Sequence, residues 1–509
     1  MKYIDSILIK ITMYRLTLYY LIFLVGTAVV LSFFGYLNFS PLDIMINAVT
    51  AVIVSYIFNV IFAKMFKAVT NFESVFITAL ILTLIVPVGF PKNFTFIALA
   101  SAVAMASKYF LTVDKKHIFN PAAAAVAGIA MLSTEHMATW WVGTTVMVPF
   151  VLVGGLLLVR RIQREDMVFH FLLSYILIIT AGVLIRGGNI DTILVTWRLN
   201  LLNTALFFFL FVMFTEPLTA PTTKRYRQYY AYFVALLYST PSLRLGIVFT
   251  PELALVIGNV FSYIINPTSR MALPLKSRIQ LSHDTFEFVF NNHSPLKFFP
   301  GQYMEWTLPH QHMDSRGSRR YFSISSSPTE NDVSITVKFY NPSSSFKKEL
   351  LNMEHGKEII ASQVAGDFVL PKDFRKPLAF IAGGVGIAPF RSMIKYIVDN
   401  NLQVDIVVIF ANRTKGDIIY SELFERAKHN GVRTVYVLTD AKSAPHDWTG
   451  VVGHITEENI KDIVPSLYIR DFYISGPQLM VERFTDALKK AGVNENKIIT
   501  DFFPGYSEM

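Results

Sequence analysis

Residues 379 to 391, Ala-Phe-Ile-Ala-Gly-Gly-Val-Gly-Ile-Ala-Pro-Phe-Arg, run from an apolar strand through a glycine turn into a helix. Gly383, Gly384 and Gly386 allow a tight turn and a close backbone approach to a pyrophosphate. The free N–H groups of the helix that follows Pro389 point at its charge. Upstream lies Ser318-Arg319-Arg320-Tyr321-Phe322-Ser323-Ile324-Ser325-Ser326. Here an arginine, an aromatic ring and a hydroxyl are spaced to hold a flavin by phosphate, ring and edge. Together the two stretches predict an electron-transfer enzyme.

The elements that position them differ on either side of Pro371. Between about 269 and 370 the chain reads as short alternating strands, among them 278–281, 286–290, 303–308 and 333–338, the pattern of a small antiparallel barrel. Beyond it the order is strand 378–382, helix 389–399, strand 404–411, helix 422–429 and strand 434–438, a parallel nucleotide-binding α/β unit.

The first half is of another kind. Apolar runs at 16–39, 44–62, 75–90, 142–159, 167–185 and 201–214 approach or reach the roughly 20 residues that cross a bilayer, and about ten spans are expected before residue 268. The first run continues past any small-residue cleavage site, so no cleavable signal peptide is expected. The expected architecture is a polytopic helical membrane domain (1–268), a flavin barrel (269–375) and a nicotinamide-binding α/β domain (376–509).

The net charge of +9 is distributed as topology predicts, not as a nucleic-acid surface. Lys2, Lys10 and Arg15, then Lys64 and Lys67, Lys108, Lys115 and Lys116, Arg160, Arg161 and Arg164, and Lys224, Arg225 and Arg227 fall in alternate loops. This bias puts both ends of the membrane domain, and the reductase half, in the cytoplasm of a cell-membrane protein. With no cysteine, the chain excludes cysteine-ligated iron–sulfur clusters and thiol relays. Only His117, His136 and His170 lie in the first half, each near the end of a span, which excludes a stacked pair of bis-histidine haems. No metal site is expected.

Residues 270 to 509 resemble the ferredoxin–NADP reductase superfamily. Arg320-Tyr321-Phe322-Ser323 is similar to its arginine, any residue, aromatic, serine/threonine motif, Gly383 to Pro389 to its nicotinamide-dinucleotide turn, and Ser475-Gly476-Pro477 to its cysteine-glycine-proline motif, with serine for cysteine. The resemblance implies an FAD whose pyrophosphate pairs with Arg320, whose ring stacks on Phe322 and whose N5 region meets Ser323. It places Ser344 and Ser345 at a second helix start over the pyrophosphate, Gly476 and Pro477 around the nicotinamide, and Ser475 and Phe503, in the terminal aromatic segment, beside the reacting rings. Asn412 and Arg413 follow the second parallel strand, where the adenosine ribose is contacted. Arg413 reads equally as a 2′-phosphate ligand or a solvated charge, so NADH and NADPH both stay open.

Three segments stand out in the first half: Glu73 to Leu80 running on to Pro87, Lys115 to Ala124, and Phe214 to Thr223. Asn120 before Pro121 and Glu216 before Pro217 read as helix caps followed by proline in the first turn. Such starts bind anionic groups, although on spacing alone they are more often ordinary caps. In this order the segments resemble the membrane subunits B of the Na⁺-translocating NADH:quinone reductase and D of the Rnf complex, ten-span proteins with inverted repeats that carry flavin. The family's serine-glycine-alanine-threonine attachment motif is missing from the short loop after residue 132. The resemblance therefore implies a non-covalent FMN or riboflavin, with Asn120 and Glu216 facing it.

The expected function is electron transfer from NAD(P)H through FAD to a membrane-held flavin and on to a quinone or a trans-membrane acceptor. The partners are the lipid bilayer and further electron-transfer subunits, with no nucleic acid, and Na⁺ or H⁺ coupling is left open. The alternatives are a haem-type ferric reductase or NADPH oxidase, against which the histidine count argues, and a transporter-like protein with a redox-sensing domain.

Overall fold

A computed structural model describes residues 11–66, 72–113, 116–133, 135–243, 248–265, 270–292, 296–311, 313–314 and 317–503. The chain divides into two compact units, Met1–Ser269 and Arg270–Met509.

The first unit is helical because its sequence is apolar around whole helical turns, and such helices bury on one side while leaving apolar side chains outward on the other. Tyr19, Ile22, Phe23, Ile53, Ile57, Phe169 and Leu177 are all exposed, the surface expected of lipid-facing helices. Among the described residues three helices are long and apolar enough to cross a membrane, Met13–Phe33, Pro41–Met65 and Glu165–Ile185. A fourth is reached if Ile190–Leu202 and Leu206–Phe214, bent by 57°, count as one span.

Four shorter apolar helices also form, Phe72–Ile85 from the expected 75–90 run, and Phe94–Phe110, Pro121–Leu132 and Pro251–Ile265. Proline explains the first of these, because Pro87 follows Ile85 closely and disfavours helix before it. The 142–159 run becomes helical only at Val148. Ahead of it Trp141–Gly143 forms a 3₁₀ turn, and Gly143 presses so closely on the backbone of Ala205 that a Cβ would lie 2.2 Å from its nitrogen. The 201–214 run breaks near Asn203 and ends as a π-helix, Phe209–Phe214. Of the topological charges, Lys64, Lys108, Arg160 and Arg161 occupy last turns of helices, while Lys2, Lys10, Lys67 and Lys115 lie outside the described residues.

In the second unit, six antiparallel strands lie in the spatial order Arg319–Ser323, Tyr303–Thr307, Glu358–Ala365, Arg270–Ser282, Thr285–Phe290, Val333–Lys338. A bridge between Ile324 and Ile335 joins the first strand's end to the last and closes the sheet into a barrel. Closure removes both edges. Phe288, Phe290, Met304, Trp306, Ile335 and Phe346 fill it.

The second sheet is parallel throughout, in the order Val451–Val452, Val432–Leu438, Ile406–Asn412, Leu378–Gly383, Asp471–Pro477, Ile498–Phe503. The chain starts at Leu378–Gly383, winds outward three strands, and returns to the other side at Asp471–Pro477. Between those two strands lies the topological switch point, and ligands of open α/β sheets bind at the carboxyl ends there.

Candidate functional site

The glycine turn and the Ser475-Gly476-Pro477 segment end the two strands that flank the switch point, so one crevice holds both. The turn is a 3₁₀ stretch, Gly384–Ile387, leading into the helix Ala388–Asp399 with proline in its first turn. Its glycines have different tasks. Gly384 has φ +52° with open space where a Cβ would stand, so its backbone is open to approach. Gly386 instead packs on the neighbouring strand, where a Cβ would come 2.4 Å from the Ser475 carbonyl oxygen. It brings the two halves of the crevice together and does not face a phosphate.

Replacing Gly384 by valine puts a β-branched side chain into the left-handed region, which costs about 1–2 kcal/mol per residue, and also fills the approach. We expect a roughly tenfold higher KM for the nicotinamide cofactor with FAD content unchanged. An unaltered KM in steady-state assays would move the cradle elsewhere.

Ser475 is fully buried and its Oγ has no hydrogen-bond partner among the described residues. The same holds for both polar atoms of the Asn412 side chain, at the carboxyl end of its strand, whereas Arg413 is exposed. Beside Ser475 in register stands Asp501, which the sequence reading passed over. Its Oδ2 is buried without a partner among the described residues, and burial pushes the carboxyl up to about 7. The folded value lies above the unfolded one, so the stability linked to this proton is present at low pH and lost as pH rises through about 7. Asp501→Asn is therefore expected to melt higher than the parent at about pH 8.5, with the gap narrowing as pH falls below about 7 and closing only at about pH 4, the ordinary carboxylate range. A pH-independent gap would show that Asp501 ionises freely. Phe503 ends the same strand, and its side chain lies outside the described residues, as do residues 504–509.

On the barrel, alternation along Arg319–Ser323 sends Arg320 and Phe322 to one face. Both meet Phe346: the Arg320 guanidinium carbon lies 5.3 Å from the ring centre, and the Phe322 ring 5.9 Å from it. Tyr321, named with this motif as a cofactor-binding residue, faces the other way and donates its hydroxyl to Glu305 Oε2 at 2.9 Å. Phe346 belongs to the short helix Ser345–Leu351, capped by Ser344, whose side chain accepts from Lys347 N. Ser345 Oγ accepts from the Asp314 amide at 2.9 Å, and Asp314 accepts from the Ser345 amide at 3.0 Å and pairs with Arg320 at 3.6 Å. Arg320, Phe322, Ser344 and Ser345 thus gather at one place, and Ser323, the next residue after Phe322, is buried with an Oγ that has no partner among the described residues. A flavin dinucleotide fits this set: guanidinium and helix amide for phosphate, rings for the flavin, an orphaned hydroxyl for its edge.

In the first unit, the three expected segments meet. Ser74, Thr78, Asn120, Pro121, Thr215, Glu216 and Pro217 line one cleft of about 610 Å³, open solvent at its mouth included. Asn120 caps the helix Pro121–Leu132 as expected, its Oδ1 accepting from the Ala123 amide at 3.1 Å. Its Nδ2 donates to Glu216 Oε2 at 2.9 Å, and Thr219 donates to the same oxygen at 3.1 Å.

Glu216 corrects the reading of a helix start. The Thr219 and Ala220 amides return to the Glu216 carbonyl, but the turn stops there and the next helix begins at Lys224. Pro221 disfavours helical Ala220 and has no N–H, and its carbonyl is taken by Arg164 Nη1 at 2.6 Å. Both ring nitrogens of His170 are engaged, by Gln228 at 3.0 Å and Tyr232 at 3.1 Å.

Comparison with known proteins agrees with this division. Residues 9–146 match the NQR2, RnfD, RnfE family, residues 272–368 the oxidoreductase FAD-binding domain, and residues 380–486 the oxidoreductase NAD-binding domain. A NADH-cytochrome b5 reductase 1 of Dictyostelium discoideum is 30% identical over 250 residues, 48% of this chain and 85% of that protein. The glycine betaine monooxygenase reductase subunit of Chromohalobacter salexigens is 28% identical over 42% of this chain, which spans 59% of the length of that relative. A crystal structure of an Amycolatopsis cytochrome P450 reductase, 24% identical, aligns over 47% of this chain and 72% of its own with a TM-score of 0.42.

The chain is a flavin- and nicotinamide-dependent reductase joined to a membrane-protein region: its second unit carries the oxidoreductase FAD- and NAD-binding domains and belongs with the NADH-cytochrome b5 reductases, and residues 9–146 of its first match the NQR2, RnfD, RnfE family.

Proposed function

We propose that this protein carries electrons from NAD(P)H in the cytoplasm, through FAD in the second unit, to a flavin held non-covalently in the first, and from there to a quinone or an acceptor across the membrane. FAD, when bound, takes two electrons from a nicotinamide and releases them singly. The chain's own residues supply the rest. Arg320 and the Ser345 amide hold phosphate, Phe322 supports the ring, Ser323 meets its edge, and Gly384 with Ser475, Gly476 and Pro477 shapes the nicotinamide crevice. The proposed limits are 1–268 for a ten-span domain of the cell membrane, 269–375 for the flavin barrel and 376–509 for the nicotinamide domain.

The observation that carries the membrane part of this reading is the convergence of three separated polar segments on one cleft around the Asn120–Glu216 pair. A buried amide beside a carboxylate presents both donors and acceptors, which suits FMN or riboflavin better than a purely apolar ligand.

The deciding experiment is flavin stoichiometry and an absorption spectrum of the full-length protein in detergent. More than one flavin per chain and no haem band is the expected result. One flavin per chain would favour a transporter-like membrane half with a redox-sensing reductase domain.

A further inference from the structure

We propose that Arg391 and Ser392 are positioning residues that set the reach between the nicotinamide crevice and the flavin edge; the inference rests on the reading just given, in which the glycine turn takes the nicotinamide dinucleotide and Ser323 meets the flavin. Both lie in the first turns of the helix that leaves the glycine turn. Both side chains leave the α/β domain and end on the barrel, on the segment that continues the flavin strand.

Arg391 Nη1 donates to the Ser325 carbonyl at 3.1 Å, and its Nη2 donates to Glu330 Oε1 at 3.0 Å. The Ser392 hydroxyl, fully buried, donates to the Ser326 carbonyl at 2.6 Å. Glu330 closes the arrangement from the barrel side, because its Oε2 accepts from the Ser327 amide at 2.6 Å. Arg391 also lies 5.6 Å over the ring of Tyr420, whose hydroxyl meets Thr336 on the barrel at 2.6 Å.

The consequence is a short mechanical path. Ser325 is two residues beyond Ser323, and Arg391 is five beyond Gly386, so one side chain links the two halves of the reaction site through a few covalent bonds. The carbonyls held by Arg391 and Ser392 belong to Ser325 and Ser326, whose other polar groups are committed to the barrel: the Ser325 amide donates to the Ser334 carbonyl at 2.8 Å, and the Ser334 amide to Ser326 Oγ at 2.9 Å. Movement of the glycine turn relative to the flavin strand therefore breaks buried hydrogen bonds. Orientation errors of about 1 Å can cost roughly 10²-fold in rate, which is the scale on which such a link matters.

The test uses full-length protein with FAD bound, and follows flavin reduction by NADH in stopped flow. Arg391→Ala should lower the limiting reduction rate per bound FAD about 10- to 100-fold while changing the NADH dissociation constant only a few-fold. Arg391→Lys should recover part of it, and Glu330→Gln should cost less than Arg391→Ala. The second readout needs no turnover: hydrogen–deuterium exchange in FAD-free protein should rise in residues 324–330 of Arg391→Ala without a rise across the barrel.

An unchanged limiting rate together with unchanged exchange would overturn the proposal, as would a variant that loses thermal stability but keeps its rate per bound FAD. If Arg391→Ala fails to fold, Ser392→Ala, which deletes one hydroxyl, carries the same test with a several-fold loss expected. Should the parent protein show no flavin reduction by NADH, the reductase reading fails. A parent that is reduced normally, with indifferent variants, defeats only the positioning role.

Discussion

Arg320→Ala should purify from the membrane fraction with normal yield yet lose FAD, and NADH oxidation should fall with it. The guanidinium lies beside the helix start at Ser345, and the carboxylate of Asp314 reaches both Arg320 and the Ser345 amide. A carboxylate is already held where a phosphate is proposed to bind, by a donor set suited to either. Hydrogen bonds to a charged group contribute about 1.5–3 kcal/mol, so loss of the arginine should weaken FAD by roughly 10- to 100-fold. Phe322→Ala should act on the same site by another route, since it removes a ring packed on Phe346 and with it the apolar support for the flavin. Flavin released by acid and counted per chain decides the matter. Full FAD content in both variants would remove the barrel motif from the site. Membrane insertion is untouched in either case, because these residues lie outside the helical unit.

The parts legible in the sequence are those whose physics is local. An arginine and an aromatic two residues apart must share a face of a strand, so the convergence of Arg320 and Phe322 followed from alternation alone, and the same rule sets Tyr321 apart. Asn120 before Pro121 is a complete capping signal within four residues. Glu216 before Pro217 has the same local form but fails as a helix start, because Pro221 and the distant Arg164 act on the following turn. Asp501 acquires its character from the strand beside it, and Arg391 from a loop of the barrel, contacts that no spacing within a segment reveals. Span counting suffered likewise: apolar composition marks a segment as buried in lipid or protein, but breaks near Ile85 and Asn203 depend on packing and proline that hydropathy does not weigh.

The membrane cleft supports the second large effect. If Asn120 and Glu216 face a flavin, Asn120→Leu and Glu216→Leu should each remove the flavin in excess of FAD, and electron transfer to quinone with it, while NADH still reduces FAD. Glu216→Leu also strands Asn120 Nδ2 and the Thr219 hydroxyl, both donors to the lost carboxylate. An unsatisfied buried donor costs about 1–3 kcal/mol, so a structural collapse must be told apart from loss of a ligand. Glu216→Gln makes that distinction, since it keeps an acceptor for Asn120 and Thr219 and removes only the charge. Partial flavin retention in Glu216→Gln, with none in Glu216→Leu, is the expected pattern. The attachment should be non-covalent, because the loop after Leu132 is short and folds back so that the Thr139 and Trp140 amides donate to the Ile85 carbonyl at 2.9 and 3.0 Å. Acid or detergent denaturation should therefore release all flavin and leave no fluorescent band on a denaturing gel. A fluorescent band would place a covalent flavin elsewhere in the unit. Full flavin and full quinone reduction in both leucine variants would make Asn120 and Glu216 ordinary structural partners, and the cleft would then need a different ligand.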